Sequence, residues 1–136
     1  MILDWWDGRD LRANVQRVFF DHFGDTALIA EDDGHLVGFL IGFLSQSRPD
    51  EAFIHLVGVH PESRRNGFGG QLYDRFMTIC ASKGRAILRA STSMVNRGSV
   101  EFHRRLGFSL ESGGTQIEGI PVSYSYISRE NPMVLF

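Results

Sequence analysis

Seven consecutive residues, Arg64-Arg65-Asn66-Gly67-Phe68-Gly69-Gly70, hold two arginines, an asparagine and three glycines where an amphipathic pattern begins. Glycine is a poor helix residue, so glycines this dense imply a task for the backbone itself. The start of a helix leaves N–H groups without partners and carries the positive end of the macrodipole. A phosphate or pyrophosphate suits such a place, because residues without a Cβ let it approach the backbone. Arg64 and Arg65 would add charge-assisted donors. Taken alone, the loop reads equally well as a surface turn.

Two histidines are the other residues that could do chemistry. His55 lies in "EAFIHLVGV" and His103 in "VEFHRRLGF". An imidazole gains or loses a proton near pH ~6.5, so either could act as an acid or a base at neutral pH. Each also has a structural reading, as a ring packed in place or bonded to a backbone carbonyl. Cys80 falls on an apolar helical stripe and reads as a core thiol. Trp5 and Trp6 read as packing residues, and Arg104 and Arg105 as the solvated side of their helix.

The elements that must position these residues follow from periodicity. Leu11, Val15, Val18, Phe19 and Phe23 form one helical stripe. Thr26 to Glu31 is a short strand, "DDG" a tight turn with glycine at the positive-φ position, and "HLVGFLIGFL" a longer buried strand. "SQSRPD" is a loop and Glu51 to Val59 a third strand. Apolar residues at Phe68, Leu72, Phe76, Ile79 and Cys80 define a helix that stops at Gly84. "AILRA" is a short strand, "STSMVN" a loop, and Arg97 to Leu106 a helix closed by Gly107. "FSLES" and "IPVSYSY" read as strands on either side of Gly113 and Gly114, and an apolar run Met133 to Phe136 ends the chain. The order gives an α/β fold with a mixed sheet.

Composition sets limits. The 136 residues suit one domain, 1–136, with no linker and no internal repeat. Hydrophobic residues make up 43% and charged residues 22%, the balance of a soluble globular protein. A net charge of −2 argues against a general nucleic-acid binder. No apolar run is long enough for a membrane span, and the first ten residues lack the pattern of a signal peptide. A single cysteine permits no internal disulfide and suits a reducing, cytoplasmic setting. No spacing of Cys and His suits zinc, so no metal is expected.

Which phosphate ligand fits? A Walker loop ends in Gly-Lys-Ser/Thr, which is absent. A dinucleotide fingerprint needs glycine where Leu72 stands, and it opens the first strand of a βαβ unit, whereas here a hairpin comes first. ATP and NAD are poor fits. Arg64-x-x-Gly67-x-Gly69, after "LVGV" and "HPES", resembles the Gln/Arg-x-x-Gly-x-Gly/Ala signature of the GNAT superfamily of N-acetyltransferases. "NRGSVEFHRRLGF" is similar to that family's second segment, N-x-x-A-x-x-F-Y-x-x-x-G-F. Asn96, Phe102, Gly107 and Phe108 match as they stand. The resemblance spans about Thr26 to Ser112 and implies a mixed, mostly antiparallel sheet flanked by helices.

The resemblance implies acetyl-CoA as co-substrate. Its pyrophosphate would lie on Arg64, Arg65, Asn66, Gly67, Phe68, Gly69 and Gly70. Its pantetheine arm would pair like a strand with Val57, Gly58 and Val59. Asn96, Ser99 and His103 would approach the thioester. The acceptor would be a small-molecule or peptide amine. Transfer needs a neutral amine, a donor for the oxyanion and a proton for the thiolate. His103 stands where many members carry an acidic tyrosine, and so is the candidate acid. Phe53 stands where several carry a glutamate base. His55, two residues on and on the same face, is the candidate base, with Glu51 a weaker one. Departures remain. The family's first strand is expected to be missing, and a second subunit could replace it, which suggests a homodimer. With Phe53 in the base position, a non-catalytic acyl-CoA sensor or partner-binding module stays open as the alternative.

Overall fold

The computed structural model describes Trp5, residues 12–112, 114–123, Tyr126 and residues 132–136. Its contacts group into two compact units, residues 1–88 and 89–136. The fold class is α/β, with antiparallel strands flanked by helices.

The first unit runs from a 3-10 turn, Arg12–Asn14, into α1 (Arg17–His22) and a second turn, Gly24–Thr26. An antiparallel meander follows: β1 (Ala27–Asp32), β2 (His35–Leu44) and β3 (Glu51–Val59). Asp33 and Gly34 join β1 to β2 with φ of 46° and 76°, the pair of left-handed residues that a two-residue hairpin needs. Helix α2 (Phe68–Ser82) then packs over β1, β2 and β3.

Strand β2 is apolar from Leu36 onward and buried from Val37 to Gly42, where it is covered on both faces. On one face Leu72 and Phe76 of α2 descend onto Gly38 and Gly42. A Cβ at Gly42 would lie 2.4 Å from the Phe76 ring and 2.9 Å from the Phe53 carbonyl oxygen, so only glycine fits beneath that ring. On the other face Phe39 and Ile41 pack with Trp5, and Val15, Phe19 and Leu56 close around them. Thr26 ties the turn before β1 to this strand, its Oγ1 donating to the Gly42 carbonyl at 2.8 Å.

The register of β3 on β2 contains one irregularity. Ile41 opposes Leu56 and Gly42 opposes Ile54, so His55 is the extra residue of a bulge. Directly opposed residues share a face. Phe53 and Leu56 therefore lie on the Trp5 face, while Ile54 and Val57 lie toward α2. His55 remains on the side of Phe53 by alternation, and the bulge brings Leu56 to that same side.

The second unit pairs β4 (Ile87–Ser93) with β7 (Met133–Leu135), antiparallel from Ser91↔Leu135 to Ser93↔Met133. Between them come α3 (Arg97–Arg105) and a small hairpin, β5 (Thr115–Ile117) with β6 (Ile120–Val122). Its buried side chains include Ala90, Met94, Val100, His103, Val122, Met133, Val134 and Phe136.

Several boundaries differ from those expected. Strand β4 continues through Ser91, Thr92 and Ser93, whose side chains alternate between half-buried and buried. "FSLES" forms no strand, although the Glu111 N–H donates to the Leu135 carbonyl at 2.9 Å. Among its described residues, "IPVSYSY" is strand over Ile120–Val122, with one bridge at Ser123. Tyr124 and Ser125 lie outside the described residues, as do Leu11, Trp6 and Gly113. Most of the N-terminal stretch on which the expected missing strand bears lies outside them too.

Candidate functional site

The glycine loop begins where β3 ends. The His60 N–H donates to the Val37 carbonyl at 2.8 Å, the last bond of the ladder. A 3-10 turn, Pro61–Ser63, follows. The His60 Nδ1 caps it by accepting from the Glu62 N–H at 3.3 Å, and the Arg64 N–H closes it on the Pro61 carbonyl. Arg65 and Gly67 then take φ of 70° and 85°. Two left-handed residues in three positions swing the chain from strand into α2. Glycine serves that backbone at Gly67, and Arg65 holds it at a cost in strain.

Gly67 is the N-cap of α2 and has no side chain to satisfy the amides behind it. The first intrahelical bond runs from the Gln71 N–H to the Gly67 carbonyl, at 3.0 Å. The N–H groups of Phe68, Gly69 and Gly70 precede it and have no carbonyl one turn back. A Cβ placed on Gly70 would meet nothing within 4 Å, so there is open space beside these donors. Uncapped amides, a helix dipole and room beside them fit a phosphate.

The two arginines differ. The Arg65 and Asn66 side chains are exposed. Arg64 is exposed as well, yet its guanidinium turns back onto two backbone carbonyls. Its Nε donates to the Val59 carbonyl at 3.3 Å and its Nη2 to the Trp5 carbonyl. Val57, Gly58 and Val59 lead into the loop with one edge bonded to β2, opposite Leu40, Phe39 and Gly38.

On the bulge, the His55 ring stacks on Phe19 of α1, centroids 4.7 Å apart and planes 24° apart. Half-burial lowers its pKa from 6.5, and a hydrogen bond to the Asn14 backbone opposes that shift. A ring whose N–H faces a carbonyl carries a lone pair on its other nitrogen when neutral. That is the state a base requires. Phe53 stacks on Phe43 at 5.5 Å. Glu51, at the start of β3, pairs with Arg48 at 3.3 Å.

In the second unit, the "NRGSVEFHRRLGF" segment is one complete helix with both ends fixed. Asn96 caps it, its Oδ1 accepting from the Ser99 N–H at 3.2 Å. Gly107 stops it with φ of 91°, while the Phe108 N–H returns to the His103 carbonyl at 3.0 Å. Asn96, Ser99 and His103 share a face at helical spacing. His103 is 2% exposed. Phe136 stacks on it at 4.6 Å, and Phe102 and Phe108 meet it edge-on at 5.8 and 5.3 Å. Its Nδ1 lies 2.7 Å from the Ser99 carbonyl and 3.3 Å from the Ser99 Oγ. Desolvation lowers its pKa, with the Ser99 backbone bond opposing. A neutral ring whose Nδ1–H donates to that carbonyl has no proton on Nε2.

Three further residues take part. Trp5, Phe19 and His60 all touch candidate residues or the turn that carries them, and Trp5 meets His60 edge-on at 5.5 Å. The sequence marks Trp5 and Phe19 as packing residues but not the residues they meet, since these contacts join segments far apart in the chain. Cys80 is buried within α2, and burial pushes its thiol pKa up. Among the described residues no group of three or more His, Cys, Asp or Glu could hold a metal ion. No helix among them is long and apolar enough to cross a membrane.

Comparison with known proteins completes the description. The model of the Acetyltransferase (GNAT) family matches residues 2–108. An L-2,4-diaminobutyric acid acetyltransferase of Nocardia farcinica is 36% identical over 78 residues, which are 57% of this chain and 40% of that protein. The chain thus spans under half the length of that relative, and 50% of the similar one from Shouchella clausii. Among solved structures, Ard1 from Thermoplasma volcanium superposes with a TM-score of 0.70 at 22% identity, covering 86% of this chain and 72% of that one. The diaminobutyrate acetyltransferase of Paenibacillus lautus, solved with L-2,4-diaminobutyric acid and coenzyme A, gives a TM-score of 0.62 at 24% identity, covering 87% and 73%.

Proposed function

This chain belongs to the Acetyltransferase (GNAT) family, and we propose that it transfers the acetyl group of acetyl-CoA to the amine of a small acceptor. The observation that carries this reading is the uncapped start of α2 behind Gly67. Acetyl-CoA, when bound, supplies an activated thioester carbonyl for an amine to attack.

The chain's own residues divide the work. The N–H groups of Phe68, Gly69 and Gly70 hold the pyrophosphate, with the exposed Arg65 and Asn66 at its rim. The backbone of Val57, Gly58 and Val59 lines the pantetheine arm. His55, neutral and half-buried, takes the proton that the attacking amine sheds, directly or through one water, while the thioester C–S bond breaks and CoA leaves as a thiolate that takes its proton from solvent. Asn96 and Ser99 share one face of α3, with Asn96 capping the helix. His103 holds that face in place. With its Nδ1–H on the Ser99 carbonyl and its ring among three aromatics, it suits packing better than proton donation.

The acceptor is a small cationic amine of the diaminobutyrate kind. Relatives named for that substrate support this, and the net charge of −2 agrees. The protein works in the cytoplasm, a setting that suits its one buried cysteine. A homodimer is part of the reading, since a second copy could add a strand beside β1.

Acetyl-CoA should raise the melting temperature, and NAD and ATP should not. Gly67→Val, which puts a β-branched residue at a φ of 85°, should abolish the shift. Stabilisation by NAD or ATP above that by acetyl-CoA would overturn the assignment. A second reading, an acyl-CoA sensor without turnover, is favoured by Phe53 stacked on Phe43 where a base could stand. It predicts the same thermal shift with no release of CoA by any amine.

A further inference from the structure

We infer that Arg64 is a positioning residue. It locks Trp5 against the glycine loop and so links that loop to the packing that holds His55. This inference rests on the acetyl-transfer reading only for its kinetic consequence.

The contacts are contiguous within the first unit. The Arg64 guanidinium donates to two carbonyls, Val59 at the end of β3 and Trp5, which is 59 residues away. Two directed bonds from a rigid planar fork fix the Trp5 backbone relative to the turn. The Trp5 ring is 2% exposed. It stacks on Phe39 at 5.8 Å and meets the edge of His60 at 5.5 Å, and His60 itself caps the turn ahead of Arg64. Phe39 and Ile41 continue the cluster to Val15, Phe19 and Leu56. Phe19 is the ring on which His55 stacks. The loop that would grip the pyrophosphate and the ring that would take the proton thus lean on one packed cluster, with Arg64 as its tie.

A phosphate ligand and a tie make opposite predictions. A ligand matters only for donors that carry pyrophosphate. A tie matters for every donor, because it acts through the placement of His55. S-acetylpantetheine, which lacks pyrophosphate, separates the two.

The experiment uses the full chain with Trp6→Phe, which leaves Trp5 as the sole tryptophan. In Arg64→Gln, Trp5 emission should shift to the red and become more accessible to acrylamide. In Arg65→Gln it should not. Arg64→Gln should lower kcat about ten-fold with acetyl-CoA and S-acetylpantetheine alike, leaving KM for acetyl-CoA within about two-fold. Arg65→Gln should raise KM for acetyl-CoA alone. Arg64→Lys, which can reach one carbonyl, should fall between wild type and Arg64→Gln in both assays, and it serves in place of Arg64→Gln if circular dichroism shows that variant unfolded. An unchanged Trp5 spectrum in Arg64→Gln, or in Arg64→Lys where that serves in its place, would overturn the inference. So would a rise in KM confined to acetyl-CoA. If no amine supports turnover, the proposed function fails while the fluorescence result still decides the tie.

Discussion

His55 and His103 are built alike at one nitrogen and differently elsewhere. Each ring is hydrogen-bonded to a backbone group, that of Asn14 for His55 and of Ser99 for His103, and burial lowers the pKa of both. Around His103, Phe136 lies flat and Phe102 and Phe108 stand edge-on, so the ring is part of a core. His55 sits half-buried on a strand bulge, stacked on one aromatic of α1. The same shift in pKa therefore means two things. For His103 it is a consequence of packing. For His55 it leaves a neutral ring half open to water. Bulges serve such ends elsewhere, by re-aiming a side chain without breaking the sheet.

Stability separates the two most strongly. His103→Ala empties a space among three rings and should cost about 3 kcal/mol in denaturant unfolding. His55→Ala should cost about 1 kcal/mol, because its site is half open to water. Equal losses would break the comparison.

Turnover should show the reverse. His55→Gln should lower kcat about 100-fold, the usual scale for a lost general base, and leave the melting temperature near wild type. His103→Phe keeps an aromatic ring in the cage and should lower kcat by less than about ten-fold. If His103→Phe proves the more damaging with acetyl-CoA still bound, the proton donor expected from the sequence is restored.

Acid stability gives a smaller effect of defined sign. Both rings are harder to protonate in the folded chain than in the unfolded one. Well above pH 6.5 neither state is charged at these positions and the full stability stands. As pH falls below that value the unfolded chain takes up protons first, so stability declines until the folded rings protonate too. His103→Phe should make this decline shallower in urea melts between pH 7 and pH 5, by about 1 kcal/mol at most. An unchanged slope would mean that His103 protonates as readily folded as unfolded.

The smallest effect is on the rate profile. A base with a lowered pKa is already neutral at pH 7, so kcat should be flat above pH 6.5 and fall on the acid side. His55→Gln should remove that acid limb.

Local features were legible in the sequence, and tertiary ones were not. The spacing from Phe68 to Cys80 gave α2 its length, and Asp33-Gly34 gave the first hairpin, because each depends on neighbours in the chain. Asn96 and Gly107 mark the ends of α3, since a cap and a left-handed stop are local demands. The second hairpin was missed because its turn, Glu118-Gly119 with φ of 50° and 78°, uses an unusual first residue and joins strands of three residues each. The bulge at His55 depends on how β3 meets β2, which the period of β3 alone does not show. The tie from Arg64 to Trp5 spans 59 residues and could not be read locally. For the same reason two adjacent arginines that look equivalent in the chain, and are both exposed, differ in their bonds: the Arg64 guanidinium reaches back to the Val59 and Trp5 carbonyls.

The most direct test of the account is amine-dependent release of CoA from acetyl-CoA. The purified chain would be mixed with acetyl-CoA and a panel that includes L-2,4-diaminobutyrate, other diamines, amino acids and peptides, and free thiol would be followed by colour. The account predicts thiol release with at least one small cationic amine, lost in His55→Gln and retained in His103→Phe. Tight binding of acetyl-CoA with no release for any amine would contradict it.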